Sequence, residues 1–186
     1  MKEIFWGKSE AIHPDDCDEI VSKYSNDLQK AGVAGGNDSP VRKSQIRWVL
    51  DQPVIDVVKY WAFLMNKEGF GFDLYSTNPD VQFTEYDSEY FGHYGYHVDT
   101  IFDKEALFER KLSVVIQLTD PTEYEGGDFS MRTSDDEDFI LTQDFPDLKK
   151  KGSIITFPSF FEHKVFPVTK GKRNSLVSWI DGPLWR

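Results

Sequence analysis

The sequence predicts a mainly β fold, a double-sheet jelly roll or a barrel, with helices toward its N-terminal end covering one outer face. Three observations carry this. Fifteen Phe, eight Tyr and five Trp among 186 residues favour strands, whose pleated surfaces accommodate aromatic side chains well. From residue 72 onward, short runs with period-two patterning alternate with turn residues, the signature of an all-β sandwich or barrel. Before that point two stretches carry the helical period instead. Hydrophobic residues make up 39% of the chain, enough for a core and against disorder. One domain over residues 1–186 is expected: a helical support region with a flexible loop over 1–70, and a jelly-roll core over 71–186.

The elements follow in order. Residues 13–31 read as a helix, with Asp15 and Asp16 near its positive end and Ile20, Val21, Tyr24 and Leu28 at helical spacing. Gly32 and Gly35-Gly36-Asn37-Asp38 end it and open a loop. Residues 44–50 read as a strand. Gln52-Pro53 starts a second helix, with proline at a tolerated first-turn position. Its apolar stripe of Val54, Val57, Val58, Trp61, Leu64 and Met65 is suited to packing on a sheet, and Gly69 and Gly71 close it. Strands are expected over 81–86, 90–98, 112–118, 128–132, 138–142, 153–157, 164–168 and 174–180. The segment 100–110 is a candidate for a short helix, and the acidic run Asp135-Asp136-Glu137-Asp138 for a solvated hairpin tip.

Composition excludes several functions. The formal net charge of −11 disfavours a nucleic-acid backbone or an anionic membrane as the main partner. The single cysteine, Cys17, rules out an intrachain disulfide and a Cys-rich zinc module, and fits a reducing compartment. No stretch of about 18 apolar residues occurs and no apolar leader opens the chain. A cytoplasmic protein without a targeting signal, acting as a monomer, is expected.

The chemistry gathers at Tyr96-His97-Val98-Asp99. Residues i and i+2 of a strand face the same way, so His97 and Asp99 would offer an imidazole nitrogen and a carboxylate oxygen to one point. His163, in Phe157-Pro158-Ser159-Phe160-Phe161-Glu162-His163, is a third candidate ligand. Two histidines and a carboxylate on one face of a metal leave the other face open, which suits non-haem Fe(II) chemistry. Ten residues on stands Arg173, then Ser175, where a guanidinium could clamp a distant carboxylate. His93 reads as a structural, hydrogen-bonded residue and His13 as a helix-entry residue.

In this order, His97-x-Asp99, Leu112 to Leu118, Tyr124-Glu125-Gly126-Gly127-Asp128-Phe129, Phe157-Pro158, His163 and Pro167 to Arg173 resemble the Fe(II)- and 2-oxoglutarate-dependent dioxygenases, in particular the prolyl 4-hydroxylase-like branch. The resemblance covers about residues 75–182, with Arg47-Trp48 as an upstream piece. It implies a double-stranded β-helix, or jelly roll, with the N-terminal helices packed on one sheet. It implies His97, Asp99 and His163 as metal ligands, Arg173 as partner of the co-substrate's 5-carboxylate, Ser175 as an added donor and Tyr86 as an assisting residue. Tyr94, Arg110 and Trp179 match positions that contact the substrate. Lys172, next to Arg173, would face the other way. Gln117 stands where many relatives have Tyr, and Asp128 where Glu is commoner.

The cofactors so implied are Fe(II), 2-oxoglutarate and O₂, with ascorbate as a reductant. The expected partner is a proline-containing peptide or protein, hydroxylated with release of succinate and CO₂, and neither nucleic acid nor membrane. Two other readings stand beside it. One keeps the chemistry with another amino-acid side chain or a small metabolite, since specificity lies in loops such as 33–46 and 100–110. The other is a cupin-like metal-binding module without turnover.

Overall fold

A computed structural model of the protein describes residues 4–32, 40–100, 105–132 and 138–185. Its elements are β1 (Trp6–Lys8), α1 (Pro14–Tyr24), β2 (Gln29–Lys30), β3 (Arg42–Lys43), β4 (Gln45–Val49), α2 (Gln52–Met65), β5 (Asp80–Asp87), β6 (His93–His97) and β7 (Glu109–Gln117). They continue with β8 (Tyr124–Gly126), β9 (Phe129–Arg132), β10 (Asp138–Phe139), a single helical turn α3 (Leu141–Asp144), β11 (Ile154–Pro158), β12 (His163–Val165) and β13 (Val168–Gly182).

These strands form two antiparallel sheets. The larger has the order β1-β11-β7-β13-β5-β4-β2 with β8 alongside β13, and the smaller has the order β10-β9-β12-β6-β3. This is the expected jelly roll. Alternation along each strand builds two cores. On β7, Leu112, Val114 and Ile116 face α1 and α2 and pack with Cys17, Tyr24, Val58, Ala62, Met65 and Phe83. Val115 points the other way, between the sheets, with Phe129, Met131, Ile155, Phe157 and Val165. Each buried Val, Leu, Ile, Phe or Met side chain among them contributes about 1.5–3 kcal/mol relative to exposure.

The helix starts are as the sequence reads. His13 caps α1, its Nδ1 accepting the Asp15 N–H at 3.3 Å, and Pro14 opens the first turn. The α2 helix packs on the larger sheet through Ile55, Val58, Ala62 and Met65, so the buried face differs from the expected stripe: Ile55 and Ala62 join it and Val57 is exposed. A wide turn at Asn66–Phe70 ends on Gly71 at φ 69°. Among the described residues no helix is long and apolar enough to cross a membrane.

Several boundaries differ from the sequence reading. The first helix stops at Tyr24 instead of residue 31, because Asp27 takes a left-handed φ of 55° and Gln29–Lys30 pair with β4 instead. The strand expected over 90–98 begins only at His93, since Ser88–Tyr90 form a tight helical turn and Phe91 has φ 52°. The strand expected over 138–142 ends at Phe139 and gives way to α3. The N-terminal region is not only helical: it also supplies β1, β2 and β4 to the larger sheet and β3 to the smaller. Residues 33–39 and 101–104, parts of the two loops singled out for specificity, lie outside the described residues, as does most of the acidic run at 135–138. Residues 105–108 hold no helix.

Strand β13 positions the site. Arg173 pairs with Tyr86, Ser175 with both Thr84 and Gln117, Val177 with Gln82 and Val115, and Trp179 with Asp80 and Ser113. The odd-numbered residues of β13 therefore run in a line across the inner face, from Arg173 to Trp179.

Candidate metal centre

His97 ends β6, Asp99 follows it, and His163 opens β12, directly paired with His97. The potential ligand atoms of the three lie within 4.8 Å of one another. His97 Nε2 is 3.6 Å from Asp99 Oδ1, and His163 Nε2 is 3.4 Å from Asp99 Oδ2. Each imidazole is oriented by its other nitrogen: His97 Nδ1 lies 2.9 Å from the Gly95 carbonyl and His163 Nδ1 lies 3.0 Å from that of Phe161. An Nδ1–H donated to a carbonyl leaves Nε2 as the lone-pair atom, the arrangement typical of metal-ligating histidine. Phe157 and Phe129 flank the His163 ring.

The carboxylate is fixed too. Ser113 Oγ donates to Asp99 Oδ2 at 2.6 Å, and Ser159 Oγ lies 3.0 Å from Ser113 Oγ. The Ser159 carbonyl accepts the backbone N–H groups of Asp99 and Thr100. Burial opposes the Asp99 charge, yet the two histidines and Ser113 outweigh it and hold its pKa below the ordinary value. The Trp179 indole N–H lies close enough to favour that charge without a formed hydrogen bond. Burial, and then the neighbouring His163, push the His97 pKa down to about 3, so its ring is neutral and free to ligate at physiological pH. Two imidazoles and a carboxylate with second partners in place fit a divalent metal such as Fe(II).

These ligands open onto a cavity of about 600 Å³ lined, among others, by Tyr86, Tyr94, Arg110, Arg173, Ser175 and Trp179. All six residues singled out from the sequence alongside the ligands thus share one cavity with them. Arg173 is only 1% exposed, an uncommon burial for a guanidinium. Its Nη2 donates to Gln117 Oε1 at 2.9 Å, while its Nη1, Gln117 Nε2 and Ser175 Oγ are buried with no hydrogen-bond partner. A buried charge and three unmet donors are costly unless an acceptor completes them, and a carboxylate is the kind of group that would complete them. Lys172 faces away, paired with Asp87 at 2.9 Å and Glu85 at 3.3 Å.

The sequence did not single out Ser113, Ser159, Arg42, Trp48 as a cavity residue, or Gly127 as more than a turn. Gly127 has φ 61°, and a Cβ there would come within 2.9 Å of Arg173 Cδ. Arg42 and Trp48 line the cavity. A slightly larger hollow of about 650 Å³ opens between α1 and α2, on the opposite face of the larger sheet. It contains none of the ligand set, so the chemistry lies in the smaller cavity.

Comparison with known proteins agrees with this geometry. The family model of the 2OG-Fe(II) oxygenase superfamily matches residues 81–181, a span that holds all three candidate ligands and Arg173. A PKHD-type hydroxylase of Alteromonas mediterranea is 35% identical over 91 residues, 47% of this chain and 37% of the relative. The chain thus spans well under half the length of that relative. Among solved structures, a prolyl-4-hydroxylase of Pseudomonas putida superposes with a TM-score of 0.73 at 18% identity, covering 96% of this chain and 92% of that one. A viral collagen prolyl hydroxylase from Paramecium bursaria Chlorella virus-1, in complex with 2OG, gives 0.70 at 17% identity, covering 97% of each.

Proposed function

The chain belongs to the 2OG-Fe(II) oxygenase superfamily, and from that premise we propose that it hydroxylates a prolyl residue of a peptide or protein, converting 2-oxoglutarate to succinate and CO₂. The observation that carries the reading is the pairing of two half-sites in one cavity. A His-Asp-His ligand set stands at one end, and a buried guanidinium with unmet donors stands at the other.

Iron(II), bound with 2-oxoglutarate and O₂, would supply the oxidation that hydroxylates a substrate C–H. The chain's own residues place the reactants. His97, Asp99 and His163 would hold the metal, with Ser113 and the Gly95 and Phe161 carbonyls fixing their orientation. Arg173 and Ser175 would hold the distal carboxylate of 2-oxoglutarate, with Tyr86 beside the guanidinium, 5.5 Å from ring centroid to Cζ. Aromatic walls keep water out and so strengthen these electrostatic contacts. Tyr94 stacks on the His97 ring, with centroids 3.5 Å apart and planes at 13°. Trp179 lines the same cavity, and each of these two rings also carries a guanidinium beside it, Arg42 on Tyr94 and Arg110 on Trp179. Solved relatives of this fold bear prolyl hydroxylase names, which supports proline over other side chains. A cupin-like module without turnover would have no use for the buried donors around Arg173.

The test is incubation of the Fe(II)-loaded protein with 2-oxoglutarate, O₂ and a panel of proline-containing peptides. Succinate release matched by gain of one oxygen atom on proline is expected. Co-substrate consumption with oxygen placed on another residue, or on no peptide, would overturn the prolyl assignment.

A further inference from the structure

The cavity is cationic in a chain whose net charge is −11. Among the described residues its lining holds three arginines, Arg42, Arg110 and Arg173, and one carboxylate, Asp99. Their situations differ. Arg173 is committed to the floor of the cavity by Gln117. Arg42 is tethered, its Nε donating to Ser44 Oγ at 2.8 Å and its Nη2 to Gln82 Oε1 at 2.9 Å, with its guanidinium 4.6 Å from the Tyr94 ring. Arg110 lies over Trp179, its Cζ 4.1 Å from the ring centroid, and among the described residues it has neither a hydrogen-bond acceptor nor an ion-pair partner. Its cross-strand neighbour Asp181 forms no ion pair with it, although the guanidinium is near enough to favour the Asp181 charge against the burial that opposes it.

Resting on the oxygenase reading, we propose that the substrate carries a carboxylate close to the carbon that is hydroxylated, and that Arg110 is the group that binds it. Contact with the indole holds the guanidinium at the cavity wall with its N–H donors unspent, and bidentate capture of a carboxylate uses two of them. The same indole approaches the Asp99 carboxylate, so an anion on Arg110 is held one ring away from the metal ligands. Arg42, on the Tyr94 ring that covers His97, adds positive potential from the other flank. A low-dielectric cleft focuses such a field and draws anions out of solution even when the whole protein is acidic. A neutral partner, such as a peptide carbonyl, would use the N–H groups but not the charge.

The carboxylate could belong to an acidic residue beside a peptide proline or to a free acid, and one experiment separates these sources. The Fe(II)-loaded protein receives 2-oxoglutarate, O₂ and two panels. The first contains peptides with one proline flanked by Asp or Glu, their Asn or Gln counterparts and their Lys counterparts. The second contains free amino acids and their amides. Substrate-dependent succinate release is read for wild type, Arg110→Gln and Arg110→Glu. In whichever panel supports release, carboxylate members should exceed their amide counterparts in kcat/KM by about tenfold or more. Arg110→Gln should erase that ratio and Arg110→Glu should invert it. Peptide preference assigns the carboxylate to a side chain, and free-acid preference to a small molecule. Equal rates for acid and amide, a preference that survives Arg110→Glu, or silence of both panels overturns the proposal. The visible band of the anaerobic Fe(II) protein with 2-oxoglutarate alone needs no substrate, so its absence would instead mark failure of the oxygenase reading.

Discussion

Arg173 donates from Nη2 to the side-chain carbonyl of Gln117 at 2.9 Å, and this bond fixes which atoms of both residues remain to be satisfied. With its oxygen engaged, the Gln117 amide keeps Nε2 as a donor, and Arg173 keeps Nη1. The glutamine therefore both orients the guanidinium and adds a donor beside it.

Removing that amide should weaken the co-substrate and leave the metal. For Gln117→Leu, loss of a hydrogen bond to a charged group predicts roughly 10–100-fold weaker 2-oxoglutarate binding. Gln117→Glu should be worse, because its carboxylate would neutralise Arg173 and repel the ligand. Titration of the anaerobic Fe(II) protein measures both, and equal affinity in Gln117→Glu and wild type would contradict the role.

Gly127 should behave as a residue of the same pocket. An added Cβ would press on Arg173 Cδ at 2.9 Å in a left-handed backbone, a conformation that costs a non-glycine residue roughly 1–2 kcal/mol. Gly127→Ala is expected to lower the melting temperature and to raise the Kd for 2-oxoglutarate together. A variant destabilised with an unchanged Kd would show that Arg173 had not been displaced.

Ser113 serves the metal through Asp99. Ser113→Ala should reduce Fe(II) or Co(II) affinity by about 10–100-fold, as for other partners of metal ligands, while the fold survives loss of one small hydroxyl. Metal titration followed by circular dichroism separates the two effects.

Acid sensitivity has an identifiable contributor in Asp128. Its burial would raise the pKa, but hydrogen bonds from Lys149 at 2.8 Å, Gln143 at 3.0 Å and Thr142 at 3.0 Å prevail, and the folded value lies below the ordinary one. A depressed carboxylate pKa gives stability that is present above the unfolded value, near 3.9, and lost as pH falls through the folded value. Asp128→Asn should therefore cost about 1–2 kcal/mol near neutral pH, allowing for partial exposure. The gap between variant and wild type should narrow in urea unfolding as pH falls below the ordinary carboxylate range and through the depressed folded value.

How much of this was legible follows from where the information lies. His97 and Asp99 are neighbours in sequence, and the alternation of β13 places Arg173, Ser175 and Trp179 on one face, so local spacing was enough. The supports were not legible, because they depend on register between distant strands: Ser113 meets Asp99 and Ser159 only once β7 and β11 pair. Arg42 reaches the cavity through the pairing of the two-residue β3 with β6, too short a strand to show any period. The overlong first helix has a local cause. Leu28 stands at helical spacing, but the left-handed backbone at Asp27 cannot be seen in a hydrophobic pattern.

The most direct measurement is anaerobic titration of the Fe(II) protein with 2-oxoglutarate, following the weak visible charge-transfer band of a chelated keto acid, in wild type and in Arg173→Ala. The account predicts a saturable band in wild type and a loss of about 2–5 kcal/mol in binding on removal of the buried guanidinium. Absence of a band at every concentration, or a band of equal affinity in the two proteins, would contradict it.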